Sequence, residues 1–493
     1  MKLSDFGDWL SPMIVKELRQ GLRTRTFASV FIAWQAFLVL CLIVSTAASN
    51  SEGSNWFFWA VIMVLFVPIL PLRGLAALSG EIKEGTLDLL QLTRLGAWRI
   101  TFGKWAALVS QAGLIGISIL PYIVMRYFAG GVSVVWEICA LLAFMVMCGV
   151  LTAINVGLSA LRSVILRGLL YLALMSVAVP AGGVVMGMIA EDNFADFVER
   201  YFAQGGFWAT AGIVLGLAAY LIVYFLNLGV SQIATSAENH ATLKRAVSAL
   251  VLVGLAVSLR LSGPRFDDLL QVMIVVGLAL TGIDCLSERP TTSPTVLHPF
   301  ARRGIPGRLA GMVLAPGWHS GSLYFLGLTA VVALVGSDRL DVADFMKAVS
   351  GGGDLAGALL VGVAVLFCAL GTVVLPAVLA VWMTRNREGD SLLGAVCFCL
   401  IGSVVASLIF AIVGTEVASM DGVLALFPAL LPLSALIAAE DAAFRQATFL
   451  YVVPAAMTVA GLVLMWVMGR PYFRAIWRTA ASENEPKTEG AEG

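Results

Sequence analysis

The sequence predicts an all-α polytopic membrane protein of about twelve transmembrane helices, and three observations carry that prediction. Hydrophobic residues fill 59% of the 493 positions and charged residues only 13%, with a mean hydropathy of +0.92; a soluble fold of that composition cannot bury its apolar surface. The apolar residues gather into runs of span length. Lys and Arg, matched overall by Asp and Glu at 31 each, collect in every second connection between those runs.

Residues 1–26 precede the first run and include Lys16, Glu17, Arg19, Arg23 and Arg25. Trp9, Leu10, Met13, Ile14, Leu18, Leu22 and Phe27 recur mostly every three or four residues, which puts them on one face of a helix lying along the bilayer. The pattern is not that of a signal peptide, because the first apolar run is of spanning length and follows a mixed-charge stretch. Spans are expected near 27–48, 56–78, 100–125, 134–160, 165–190, 207–230, 246–262, 269–285, 319–336, 355–383, 391–413 and 447–468. Residues 27–233 thus form a six-span domain, and 234–318 hold two further spans and a linker punctuated by Pro290, Pro294, Pro299, Pro306 and Pro316. Within the C-terminal region 319–470, Val423 to Ala439 is short and broken by Pro428 and Pro432. It is expected as a re-entrant or outer-leaflet helical pair, which lipid tolerates only where protein covers the backbone. The tail 471–493 ends in a polar, acidic stretch of disordered composition.

Twelve spans put both termini on one side. With the N-terminus in the cytoplasm, 24 of the 31 Lys and Arg fall on the cytoplasmic side, the asymmetry expected of cations that resist translocation. The expected location is therefore the cytoplasmic (inner) membrane, multi-pass, with both termini cytoplasmic. Counting 423–439 as a span would throw Arg470, Arg474 and Arg478 outside.

Between the second and third runs lies a charged interruption, Ser79 to Lys104. Glu81, Lys83, Glu84 and Gly85 lead to Thr86, a good N-cap residue, with Asp88 suited to the positive end of a short helix. Leu87, Leu89, Leu90, Leu92 and Leu95 follow, with Thr93 among them. A cytoplasmic helix with a leucine face must cover it on the membrane surface or on another protein. Three stretches together carry a family resemblance: Val15-Lys16-Glu17-Leu18-Arg19 with Arg23-Thr24-Arg25 before the first span; Glu81 and Glu84-Gly85-Thr86-Leu87-Asp88-Leu89-Leu90 after the second; and Thr93, Leu95, Trp98, Arg99, Ile100, Gly103 and Lys104 entering the third. In these residues, about 9–105, the chain resembles the permease subunit of type 2 ATP-binding-cassette (ABC) exporters. The resemblance implies that the N-terminal helix is the elbow helix and that 80–98 is the coupling helix. Glu81, Glu84, Gly85, Thr86, Leu87, Leu90 and Thr93 would then dock on a separate ABC ATPase, which carries the ATP and magnesium. Arg94 departs from the family, which usually has proline there, and the six additional spans leave open whether a second copy or homologue joins the complex. Arg387 to Leu393 faintly echoes 83–89.

The chain carries no phosphate-binding loop of its own: Gly103-Lys104 lacks the glycine five positions earlier and is followed by Trp105. His240, His298 and His319 have no ligand-like spacing, and the seven cysteines fall mostly in apolar runs, so no metal site or disulfide framework is expected; only Cys397 and Cys399 leave a pairing open. The chain is thus expected to be no enzyme, to hold no cofactor and to bind no nucleic acid, its partners being the ATPase and the lipid bilayer. Polar residues in the apolar runs are few: Gln35, Arg73, Gln111, Glu137, Asn155 and Asp284. Arg73, Glu137 and Asp284 are expected to snorkel from span ends, and Gln111 and Asn155 to bond between helices. That scarcity favours an external ATPase drive over an ion-coupled carrier or channel, which needs buried carboxylates. A membrane enzyme or assembly scaffold is the third reading. Nothing in the residues names the substrate.

Overall fold

The computed structural model describes residues 12–23, 25–47, 51–84, 96–130, 134–161, 163–190, 207–234, 238–261, 267–291, 293–336, 355–384, 392–417, 432 and 449–481. Every regular element among them is helical, and the chain divides into two compact units, Met1–Ala234 and Thr235–Gly493.

The first unit begins with α1 (Pro12–Arg23), which meets α2 (Arg25–Ala47) at a bend of 65°. The second apolar run is not one regular helix. It consists of α3 (Ser51–Val64), a π-helical turn (Leu65–Ile69), the short α4 (Leu70–Leu72), a 3-10 turn (Arg73–Ala76) and α5 (Ser79–Glu84). Pro68 and Pro71 account for the break, since neither has an amide to donate and each ring crowds the preceding turn. Then come α6 (Ala97–Gly130), α7 (Val134–Leu158), α8 (Val164–Ala190) and α9 (Phe207–Ile233). At 34 residues, α6 is about 51 Å long against a hydrocarbon core of about 30 Å, so its first turns extend past the apolar layer. The unit packs around α7, which touches α6, α8, α9 and the broken run. Gly157 lets α7 and α9 close up: a Cβ there would lie 2.3 Å from the Phe225 carbonyl oxygen.

In the second unit α10 (Ala241–Leu261) and α11 (Asp267–Leu286) form a hairpin, followed by the short α12 (Pro294–Ala301) and α13 (Gly304–Leu314). The helices α14 (Trp318–Gly336), α15 (Leu355–Thr384), α16 (Leu392–Val417) and α17 (Phe449–Ala481) complete it. Leu286, Phe325, Val374, Ala377, Val396 and Met465 meet in its core, while Leu297, Phe300, Ala315 and Ile476 fasten α12 and α13 to α17.

A helix occupies each of the twelve predicted positions. Among the described residues, nine are long and apolar enough to cross a membrane, and the bent pair α1–α2 passes the same test when taken together. The apolar parts of α11 and α16, Leu270–Leu286 and Leu392–Ser407, are shorter. Of the predicted re-entrant segment 423–439 only Pro432 is described; its carbonyl accepts a hydrogen bond from the Cys368 thiol at 3.4 Å.

Candidate coupling junction and buried charges

The face of α1 that carries Ile14, Val15, Leu18 and Leu22 is half-buried, and Lys16, Arg19 and Arg23 are exposed. α1 packs on α6. Gly21 faces Gln111 in this contact, where a Cβ would meet the flexible amide end of that side chain, Nε2, at 2.2 Å. About two turns nearer the start of α6, Lys104 places its ammonium 3.3 Å from Glu17 Oε1 on α1 and 2.8 Å from Glu81 Oε1 on α5. Its side chain is 9% exposed, so the two carboxylates reach into a largely dry contact. A single cation thus ties α1, α5 at the end of the broken run, and α6. Just beneath it, Leu78, Ala97, Ala153, Val156, Leu226 and Val230 form a buried cluster.

Of the residues predicted for ATPase coupling, Glu81, whose side chain alone among them is described, enters this junction. Glu84 ends α5, and Gly85, Thr86, Leu87, Leu90 and Thr93 lie outside the described residues. Of the elbow residues, Glu17 joins it, whereas Lys16, Arg19, Arg23 and Arg25 are exposed. Lys104 closes the family-like motif in sequence; its pairing across 87 residues with Glu17 has no local sequence signal.

The irregular backbone of the second run is clamped by side chains from α7, α8 and the turn between them. Tyr171 donates its hydroxyl to the Pro68 carbonyl at 2.6 Å, Asn155 its amide to the Pro71 carbonyl at 2.9 Å, and Arg167 its guanidinium to the Leu75 carbonyl at 2.6 Å. The Leu78 amide in turn donates to Ser159 Oγ at 3.1 Å. These bonds replace a helical ladder that the prolines interrupt, and inside a bilayer each unmatched group would cost several kcal/mol. The helix-bridging role expected of Asn155 is what the structure shows, with the partner being backbone rather than another side chain. At the other end of the unit, Arg126 contacts Glu137 at 2.8 Å, donates to Asn55 Oδ1 at 2.6 Å and stacks over Phe58 at 4.2 Å. Glu137 is therefore buried against a cation on α6 and does not snorkel.

The second unit holds a denser group. Lys244 Nζ lies 2.8 Å from Asp284 Oδ1 and 3.1 Å from Glu288 Oε1. Next to it, Arg245, with a side-chain exposure of 0%, contacts Glu288 Oε2 at 2.5 Å and donates to the carbonyls of Val313, Ala315 and Gly317 and to Ser320 Oγ. Two cations and two carboxylates cancel, as they must when this much charge leaves water. Gly317 adopts φ +134° and meets His319 and Pro290 where a Cβ would sit, so glycine is required in the loop that Arg245 holds. Burial pushes the Glu288 carboxyl up, and Arg245, Lys244 and the Gly317 amide overcome that and hold it below the usual carboxylate range.

This group corrects one expectation. Asp284 does not snorkel but is buried together with Lys244 and Arg245. Buried carboxylates are present, but they are paired. The signal was available: Lys-Arg opens α10, and Asp284 and Glu288, four apart, close α11, so opposite charges lie at the same end of one helical hairpin. Among the described residues no three His, Cys, Asp or Glu converge as a metal site. No family model, curated protein or solved structure matches the chain.

Proposed function

We propose that this chain is the membrane-spanning permease subunit of an ATP-driven exporter of the type 2 ABC class. It moves its substrate across the cytoplasmic membrane by means of a separate ATPase that docks on residues 80–98. The observation that carries this reading is the Lys104 junction. α5 leads directly into the leucine-rich segment, and Lys104 bonds it to both the surface helix and the third span. A pull on 80–98 would therefore reach three elements at once. In this reading the protein has twelve spans and cytoplasmic termini, binds no nucleotide itself, and works with a second copy or homologue in the complex.

The test is affinity purification of the full chain from its own host membranes. A phosphate-loop ATPase is expected to co-purify in near-stoichiometric amount, and Gly85→Glu or Leu90→Glu should release it while the permease remains in the membrane. Purification without any ATPase, or retention of the ATPase by both variants, would sink the reading. A second reading, a gradient-coupled carrier, draws on the buried Lys244, Asp284 and Glu288, since intramembrane carboxylates are the usual proton carriers. It predicts proton movement in liposomes that contain the chain alone under an imposed pH gradient, abolished by Asp284→Asn.

A further inference from the structure

We propose that the face formed by α13 and the end of α17 binds the headgroup of an anionic phospholipid. Trp466, Arg470, Arg474 and Trp477 recur along α17 at spacings of four, four and three, and all four are exposed. Met465, Gly469, Phe473 and Ile476, offset by one residue, are buried. The arginines and tryptophans therefore form one outward stripe, with Arg470 lying over the Trp466 ring at 4.4 Å. Ile476 anchors α17 to Phe300 and Ala315, and Gly311 lets α13 close in, since a Cβ there would lie 3.1 Å from Phe300 Cβ. This packing carries Arg308 over the Trp477 ring at 5.2 Å and leaves Arg302 and Arg303 exposed at the start of α13.

α12, α13 and α17 contain no Asp or Glu, so the charge here is not cancelled from within as it is around Arg245. A guanidinium over an indole face keeps its N–H donors, which can take a phosphate with two bonds. Lipid is favoured over an acidic protein because the same face is apolar: Ile305 is 64% exposed and Leu309 55%, and Val463 and Val467 are exposed beside Trp466. Exposed aliphatics and indoles at the end of a span belong at the headgroup level of a bilayer, where basic side chains on an in-plane helix select anionic lipid.

The test is native mass spectrometry of the full chain with equimolar dioleoyl phosphatidylglycerol and dioleoyl phosphatidylcholine. The wild type should retain the glycerol lipid preferentially. Each guanidinium near such a surface is worth roughly fivefold, so Arg308→Gln/Arg470→Gln/Arg474→Gln should lower that preference by about tenfold or more, with unchanged phosphatidylcholine retention. Arg470→Lys/Arg474→Lys should keep it. If the triple variant does not fold, Arg474→Gln alone, which is not stacked on either indole, should lower it by about fivefold. Equal retention of both lipids by the wild type would overturn the proposal, as would unchanged selectivity in the variants. So would displacement of the lipid by millimolar inorganic phosphate, or loss of an acidic partner protein from the variants with the lipid preference intact.

Discussion

Asn155 is fully buried and donates its amide to the Pro71 carbonyl, so Asn155→Leu removes that bond in a site closed to water and leaves the carbonyl with the Arg73 amide alone. The expected loss is about 1–3 kcal/mol, visible as a lower melting temperature in detergent, with Asn155→Asp less damaging than leucine if the aspartate is protonated. Arg245 is a different kind of residue. Its guanidinium neutralises Glu288 and also holds three loop carbonyls, so Arg245→Met strands a carboxylate and should cost about 3–5 kcal/mol. Adding Glu288→Gln to Arg245→Met should recover part of that loss, because the stranded charge is then gone. Denaturant titration of the four proteins in mixed micelles measures the coupling, and strict additivity would mean that the pair acts independently. Neither role was legible locally. Asn155 stood out as a deep polar residue, but its partner is a backbone atom 84 positions away.

At the scale of elements, the broken second run is what makes the junction. Its π and 3-10 turns replace the regular helical ladder between Ser51 and Glu84, and at its end Glu81 on α5 meets Lys104 of α6, which also holds Glu17 of α1. The prolines that cause the break are plain in the sequence. The four clamping side chains that make it tolerable in lipid are not, because they come from helices placed only by packing. The contact of α1 with α6 gives a direct test. Gly21→Cys/Gln111→Cys puts two thiols at a close approach and should cross-link readily under mild oxidation. Adding Lys104→Glu, which sets three carboxylates together, should cut the cross-linking rate several-fold. Charge reversal at Glu17 and Glu81 to lysine should then restore it, an outcome that general misfolding would not produce.

At the scale of the whole molecule, the distribution of cations sets the expected orientation. Arg470 and Arg474 follow the apolar part of α17, so the C-terminus should lie with the N-terminus in the cytoplasm. A fluorescent protein fused after Gly493 should be bright and an alkaline phosphatase at the same point inactive; the reverse pattern would require an odd number of crossings. Two compact units meet in sequence at Ala234 and Thr235, and each has its own buried polar lock: Arg126 with Glu137 in the first, Lys244 and Arg245 with Asp284 and Glu288 in the second. Both locks tie together helices adjacent in the chain, which suits spans that insert in sequence and then pack.

Composition and run length by themselves determined that the chain is helical and membrane-embedded, and roughly where each helix lies, because a bilayer imposes a length and forbids exposed backbone. The break in the second run was not foreseen, since Pro68 and Pro71 stand in a stretch expected to be one span. Tertiary structure alone decided that Glu17 and Glu81 share Lys104, that Glu137 and Asp284 are buried in pairs rather than snorkelling, and that Trp466, Trp477 and the arginines around them form one face. Those facts depend on rotation of helices about their axes and on contacts across dozens of residues. Hydropathy, which averages over a turn or more, is blind to both.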